Sequence, residues 1–425
     1  MNKYFIKNLF IHPPKYFSII ILIILSLFHF RYGVIPAWSN LHSDFPNYYT
    51  SSRILLEGKD LSKIYDDSWF QNKMKEYGID QLGKFSPFPP PTVFVMIPEA
   101  LFNPLTAKRI YLLLNIIVLI SIALLFKKIS NFSFVMSISI ILLSGAALIN
   151  NFLLGQFYLI LLFLITLGYY YLLSENEMMS GTFWGIAAAI KYFPLIFIPV
   201  LLISKKGRAL MTVLLVIILI NLTALFFFGM AVYSEFITKI FFSHLNGELS
   251  DQSKYAVQFQ SWNSFLLNLF VYDPVENPTP LINNLFLFSF VKGFIYLFFI
   301  SFSAYVIINI RVEKNFMPKG ISLLCILVFV LSPASASYHL VLLSLPALLL
   351  IDISFEEKKH KYSLIFIIIY VATGFISFVI KKVEVDSFSL FFPYYRLWMM
   401  ILFFFTTVCY LQSMKKKLKE VNVPS

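Results

Sequence analysis

The sequence predicts an all-α protein that crosses a membrane many times. Apolar residues occupy 59% of its 425 positions and charged residues only 13%, and the mean hydropathy is +0.77. A soluble domain does not need so much apolar surface, whereas lipid tails are as apolar as the side chains that face them. Apolar stretches of about twenty residues, the length that a spanning helix needs, also recur along the chain.

Several uninterrupted stretches reach the length of a spanning helix. They cover residues 16–36, 107–126, 132–152, 156–173, 209–230, 284–310, 362–380 and 390–412. Two further stretches are apolar but interrupted: 181–203 contains Lys191 and Pro194, and 320–353 is broken by SPASASYH. If each interrupted stretch is a pair of short helices, the chain makes about twelve crossings in a single membrane domain, residues 1–425.

Basic residues between the apolar stretches predict the orientation. Lys3, Lys7 and Lys15 precede the first stretch, so the chain is predicted to start in the cytoplasm as an uncleaved signal anchor. Alternating crossings place the later basic clusters on the same side, except Lys381–Lys382 and the basic residues of the first outer loop. Both termini are therefore predicted to be cytoplasmic, in the plasma (inner) membrane. The same clusters account for the net charge of +12, so nucleic-acid binding is not predicted.

Two polar segments are predicted to lie outside the membrane. Residues 37–106 are called the first outer segment, and residues 231–283 the second outer segment. Each arm of the interrupted stretch at 320–353 would be ~21 Å long, short of a ~30 Å hydrocarbon core. The turning points of both interrupted stretches would then lie below the outer surface, in a recess that non-helical backbone can line. This places Lys191 and His339 at the floor or wall of an outward-facing cavity.

Three residues are candidates for function, and each has a structural alternative. Lys191 lies in an apolar helical pair, where it is costly unless it meets an anion or water; the alternative is a side chain that snorkels to the interface. Asp44 begins a short helix that is predicted to lie on the membrane face and to end near Gly58. The alternative to a functional role is that Asp44 is an ordinary solvated carboxylate, and the two are equally well supported. A structural hydrogen bond explains His339 as well as ligand binding does.

Further polar and aromatic side chains suit the hydrogen bonding and stacking that a sugar needs. They are Tyr48, Tyr49, Gln156, Gln260, Trp262 and Asn263. A helix-capping role for Gln156 and a place in the interfacial belt for the aromatic residues remain open alternatives. Arg396, near the outer end of the last stretch, suits either a phosphate group or helix anchoring.

No nucleotide, metal or other cofactor is predicted. The sequence contains no glycine-rich phosphate loop, HExxH or CxxC motif. Cys325 and Cys409 both lie within apolar stretches, as expected of membrane-buried thiols.

Five segments between about residues 40 and 350 share their order with the motifs of a known family. They are SDFPNYYTSSRILLEGKDLSKIY, FSPFPPPTVFVMIPEALF, LLGQFYLILLFLITLGYYYL, GTFWGIAAAIKYFPLIFIPVLLISKKGRAL and LSPASASYHLVLL. In this order they resemble a bacterial family of membrane glycosyltransferases that use polyprenyl-phosphate sugars. Its best-known members are α-1,2-mannosyltransferases. The resemblance rests on the Asp and paired Tyr, the aromatic-x-Pro-Pro segment, the Gly-Gln turn, Lys-x-x-Pro and Ser-Pro…His.

The resemblance implies the C-type glycosyltransferase fold, with many spans around an outward cavity and no nucleotide-binding domain. The co-substrate would be a polyprenyl-phosphate-linked hexose, with mannose expected, and the acceptor a glycolipid or glycan of the cell envelope. Asp44 would be the general base of an inverting displacement. Lys191, His339 and Arg396 would hold the donor phosphate, and the polar and aromatic residues named above would contact the sugars.

Two alternatives to this function stay open. A lipid-linked-sugar flippase or transporter also has about twelve helices with broken pairs and a buried lysine, although the two halves of this sequence show no repeat in hydropathy. A related transferase that moves a pentose is the other alternative. Phe259 precedes Gln260 where the family usually has Asn, so the identity of the sugar stays open.

Overall fold

The computed structural model describes residues 15–42, 44–248, 252–313, 315–376 and 389–421, without the side chains of residues 15, 389 and 414–421. The α-helices, numbered in chain order, are α1 (Lys15–His29), α2 (Ile35–Ser39), α3 (Asp44–Leu56), α4 (Asp67–Glu76), α5 (Pro104–Ile129), α6 (Phe134–Leu142), α7 (Ala146–Leu154), α8 (Tyr158–Leu173), α9 (Glu177–Ile190), α10 (Ile198–Ile203), α11 (Gly207–Glu235), α12 (Phe242–Leu245), α13 (Trp262–Phe270), α14 (Leu285–Ile310), α15 (Phe316–Leu331), α16 (Ser344–Glu356), α17 (His360–Phe375) and α18 (Tyr395–Val421). The tighter or wider helical turns between them are Phe30–Val34, Pro90–Met96, Glu99–Leu101, Phe193–Phe197, Phe236–Phe241, Ser337–Leu343 and Ser389–Phe391. Within these residues no strand forms.

Six helical segments of the described chain are long and apolar enough to cross a membrane. They are Tyr16–Ser39, Pro104–Ile129, Gly207–Leu245, Leu285–Ile310, Ser337–Glu356 and Tyr395–Ser413. A seventh results if α6 and α7, bent by 75°, form one span. Shorter apolar helices are Tyr158–Leu173, Phe193–Ile203, Phe316–Leu331 and His360–Phe375. The prediction of a multi-pass helical membrane protein is confirmed, while about twelve crossings and the C-type fold stay predictions.

Both stretches that the sequence marked as interrupted are broken in the structure. Helix α9 ends at Ile190, and Lys191 follows in extended conformation (φ −148°, ψ 117°). Pro194 then lies in a 3₁₀ turn, where its missing N–H cannot extend the α-helix. In the second stretch α15 ends at Leu331, and His339 lies in the 3₁₀ turn before α16 rather than in an irregular loop.

The second interrupted stretch is less symmetrical than predicted. Its first arm, α15, has 16 residues. The second arm, Ser337–Glu356, has 20 residues and is itself long enough to cross. The prediction of two equally short arms is therefore wrong for the second arm, because the 3₁₀ turn continues directly into α16.

The bend between α6 and α7 has a clear cause. Gly145 has a φ of +56°, a conformation that disfavours a side chain. A Cβ atom there would lie 2.5 Å from the carbonyl oxygen of Gly374, so the two backbones approach closely. The apolar stretch predicted at 132–152 is consequently two short helices, and α7 is directed toward the first outer segment.

The first outer segment is more enclosed than the sequence indicated. Helix α3 begins at Asp44 and ends two residues before Gly58, close to the prediction. Its residues Phe45–Ser52 are buried, however, against α5 and the turns Pro90–Met96 and Glu99–Leu101. This contrasts with the predicted helix on the membrane face. Of the basic residues used for orientation, Lys3, Lys7 and Lys381–Lys382 lie outside the described residues.

Candidate active site

A cavity of about 1140 Å³ joins the first outer segment to both helix breaks. Asp44 and Phe88 line it from the first outer segment, Lys191 from the first break, and Tyr338 and His339 from the second. Tyr158, Tyr192, His244 and Phe259 add to the lining. The cavity therefore unites the three residues that the sequence singled out first, although they are separated by more than a hundred residues along the chain.

A short chain of hydrogen bonds holds the side chain of Asp44 in place. The Tyr48 hydroxyl donates to Gln156 Oε1 at 2.8 Å, which leaves the Gln156 amide N–H₂ to bond the Asp44 carboxylate. Burial raises the pKa of Asp44, and the Gln156 bond with the charges of Lys191 and Lys108 partly offsets this rise. The carboxylate is thus fixed in place, faces the cavity, and is a stronger base than a solvated aspartate.

Lys191 faces the cavity with aromatic rings around its ammonium group. The Nζ atom lies 5.4 Å from the ring centroid of Tyr158, 5.6 Å from that of Phe88 and 5.9 Å from that of Phe157. Among the described residues no carboxylate lies within the 4 Å of an ion pair. Its charge is therefore left for an anion in the cavity.

His339 lies between two tyrosines on the same wall. Its ring centroid is 4.7 Å from that of Tyr158 and 4.7 Å from that of Tyr338. The charged or ionisable groups that interact with it electrostatically are Lys191, His244 and Arg396. Basic side chains therefore gather at this wall: Lys191 and His244 line the cavity with His339, and Arg396 interacts with His339 from outside the described lining.

His244, Tyr158 and Tyr338 are lining residues that the sequence analysis did not identify. His244 is the last residue but one of the helical segment Gly207–Leu245, and its Nδ1 atom is buried without a hydrogen-bond partner in the described structure. The only sequence signal was a histidine in the second outer segment. For Tyr158 and Tyr338, their positions next to the Gly-Gln turn and to His339 were the available signals.

Tyr48, Tyr49 and Gln156 lie behind the cavity wall. None of them is among its described lining residues. Tyr48 and Gln156 support Asp44 as described above. The Tyr49 hydroxyl instead donates to the carbonyl of Phe102 at 2.7 Å, so its hydroxyl is occupied by the protein.

Gln260, Trp262, Asn263 and Arg396 form a separate cluster beside the cavity, outside its described lining. Gln260 Nε2 donates to a backbone carbonyl at the start of α18 (2.5 Å), and its Oε1 accepts the Arg396 backbone N–H (2.7 Å). Trp262 packs edge-on against Trp398, and Asn263 Oδ1 accepts a bond from a lysine of α14 at 2.7 Å.

Arg396 differs from the other members of this cluster. Its Nη2 atom donates to the carbonyl of Gln258 at 3.0 Å. Its Nε and Nη1 atoms are buried with no partner in the described structure. Two nitrogen atoms of the guanidinium therefore have no hydrogen-bond partner in the described structure, and the charge of this group interacts with His339.

One rim of the cavity, formed by α4, is polar, and the sequence reasoning did not identify it. Helix α4 contributes Asp67, Ser68, Gln71 and Asn72, which lie on one face of the helix. The Gln71 amide bonds the backbone of Gln81 and Gly83, at 2.9 Å each. The hydroxyl of Ser68 and the amide of Asn72 suit hydrogen bonding to a polyhydroxylated molecule. The sequence pattern there, DDSWFQNKMKE, is that of any solvated helix.

The described residues contain no group of three or more His, Cys, Asp or Glu side chains placed to hold a metal ion. Cys325 is buried and Cys409 exposed, and both are free thiols.

Multiple apolar helices and a cavity lined by a buried carboxylate and basic side chains define a multi-pass helical membrane protein with one candidate active site. The sequence profile of glycosyltransferase family 87 matches residues 87–333, more than half of the chain. The chain therefore belongs to glycosyltransferase family 87 and is a membrane glycosyltransferase. The matched region contains Gln156 and Lys191, begins after Asp44 and ends before His339. No curated protein and no solved structure matches the chain.

Proposed function

We propose that the protein transfers a hexose, with mannose the first candidate, from a polyprenyl-phosphate-linked donor to a glycolipid or glycan of the cell envelope. The observation that supports this most directly is the pairing of Asp44 with the unneutralised ammonium of Lys191 in one cavity of a family 87 glycosyltransferase. In this proposal the phosphate of the lipid-linked donor binds to that cation beside the membrane, and the reaction needs no nucleotide-binding domain.

Asp44 acts as the general base in this proposal. It accepts the proton of the acceptor hydroxyl while that oxygen bonds to the anomeric carbon and the bond to the phosphate oxygen breaks. The attack comes from the face opposite the phosphate, so the anomeric configuration inverts. One carboxylate is enough, because a lipid phosphate leaves without needing a proton from a second acid.

Lys191 holds the phosphate and stabilises the charge that grows on it. Lys191 and Asp44 line the same cavity, so in this proposal the cation and the base act on one sugar. His339 lines the cavity with Lys191 and supports the same group, and the charge of Arg396 acts through its interaction with His339. A cation in a water-poor recess stabilises such charge more than one in water does.

The large cavity leaves room for the second substrate at its outer rim. The polar face of α4 would bind the acceptor, with one acceptor hydroxyl directed to Asp44. The lipid tail of the donor would lie in the bilayer, and the reaction would take place on the extracytoplasmic face. This arrangement corresponds to the C-type glycosyltransferase fold expected from the sequence.

The test uses radiolabelled polyprenyl-phosphate sugars, with mannose, glucose and a pentose as alternatives. Membranes that contain the wild-type protein or the Asp44→Asn variant are incubated with each donor. We expect the wild type to move label from one donor to a membrane lipid or glycan, and the equally abundant variant to move none. Full transfer by the variant would remove Asp44 from the mechanism. Failure with every donor, together with movement of lipid-linked sugar across vesicles, would indicate a flippase.

A further inference from the structure

Lys108 on α5 is a buried cation that the proposed reaction has not yet used. Its exposed fraction is 1%. The Nζ atom donates to the carbonyls of Phe152 and Leu153, at 2.9 Å each. It also lies 5.2 Å from the ring centroid of Phe45, the residue next to Asp44.

The two carbonyls that Lys108 binds belong to the last turn of α7. This helix ends at Gly155, whose φ is +64°. The backbone N–H of Gln156 bonds the carbonyl of Asn151 at 3.0 Å, and that of Gly155 bonds the carbonyl of Phe152 at 3.3 Å. This is the usual glycine-terminated helix end, and Lys108 neutralises the negative end of its dipole.

Little space is left around this contact. A Cβ atom on Gly155 would lie 2.7 Å from Lys108 Nζ and 2.7 Å from Phe45 Cβ. One turn along α5, the Tyr111 hydroxyl donates to the backbone carbonyl of Gln156 at 3.2 Å. Helix α5 thus fixes the end of α7 from both sides of Gly155.

The same turn of α7 contacts both halves of the candidate active site. Gln156 bonds Asp44, as described above. Asn151 Nδ2 donates to the carbonyl of Tyr338 at 2.9 Å, and Asn150 Nδ2 donates to the Ser337 hydroxyl at 2.6 Å. The turn therefore connects the segment that carries the base to the segment that carries His339.

We propose that Lys108 is a positioning residue for sugar transfer: by binding the end of α7 it sets the distance between the base at Asp44 and the basic wall at His339. The inference rests on the proposed function, because only a reaction makes that distance matter. Displacements of about 1 Å at a reacting centre are enough to lower rates by about a hundredfold.

Lys108 also acts on Asp44 through its charge. The groups that interact electrostatically with Asp44 are Lys108, Lys191, Tyr48, Tyr158 and Tyr338. Of these, the two lysines lower the pKa of Asp44. His42 lies two residues before Asp44 and also interacts with Lys108. Burial lowers the pKa of His42, and the positive charge of Lys108 lowers it further.

The test compares Lys108→Met and Lys108→Gln with Lys127→Met, a matched control at the exposed far end of the same helix. Transfer rates are measured over pH with saturating and limiting donor. We expect Lys108→Met to lower kcat about tenfold to a hundredfold, with the donor KM little changed. The acidic limb of its pH–rate profile should move to higher pH, because the loss of a positive charge near Asp44 raises the pKa of that carboxyl. Lys127→Met should behave like the wild type.

Lys108→Gln keeps a hydrogen-bond donor and serves if the methionine variant does not fold. It should show the same shift of the acidic limb with a smaller loss of kcat. A kcat and pH profile equal to wild type in either folded variant would overturn the proposal. So would an activity loss that is uniform over pH and matches the loss of folded protein, since that is a purely structural effect. Absence of transfer by the wild type would instead contradict the proposed function itself.

Discussion

Replacing Lys191 with methionine removes a cation whose charge the described protein leaves unpaired. The donor phosphodiester carries one negative charge and the released phosphate approaches two, so the charge beside Lys191 grows during the reaction. Two unit charges 4 Å apart attract by about 4 kcal/mol at an effective dielectric constant of ~20. If half of the new charge has formed in the transition state, Lys191 contributes about 2 kcal/mol, which corresponds to roughly thirtyfold in kcat.

The assay for this prediction is transfer of labelled sugar by purified protein in vesicles, with kcat and donor KM determined separately. Lys191→Met should lower kcat by roughly thirtyfold and raise the donor KM, whereas Lys191→Arg should retain much of the rate because the charge remains. Lys254→Met, at an exposed lysine of the second outer segment, is the control. A folded Lys191→Met protein with a kcat within threefold of wild type would refute the role given to this cation.

Three further predictions address the base, its support and the stability of the fold. The transfer rate should rise as the pH passes through the raised pKa of Asp44 and should then level off, because the base must be ionised. A transfer rate that rises as the pH falls would contradict this prediction. Gln156→Leu should lower kcat about tenfold and move the acidic limb to higher pH, measured in the same assay. Lys319→Met should destabilise the protein by about 3–5 kcal/mol in thermal unfolding with an unchanged donor KM, because its two glutamate partners, at 2.7 and 2.8 Å, lose their cation.

The sequence identified lining residues of the cavity where a polar residue lies within an apolar stretch. A charge or a histidine inside an apolar stretch is visible without knowledge of the fold, which is why Lys191 and His339 were found. The helix breaks were found for the same reason, since Pro194 and the polar run at 332–339 oppose a continuous helix.

The sequence was less informative where the arrangement of the site depends on contacts between distant segments. The polar residues around Gln260 had the composition of a sugar site, but their partners on α18 lie more than a hundred residues away. Lys108, near the start of a predicted span, was not among the candidate residues. Its role depends on the end of α7, forty-four residues later in the chain, whose carbonyl it binds.

The cavity that Asp44 and Lys191 share has a consequence for the kinetics of the enzyme. Asp44 and Lys191 line the same space of about 1140 Å³, which also reaches the polar face of α4. In the proposed direct displacement, donor and acceptor must be present in this space together, and no covalent sugar is left on the protein between two half-reactions. Initial rates at varied donor and acceptor concentrations should give intersecting double-reciprocal lines rather than the parallel lines of a ping-pong mechanism.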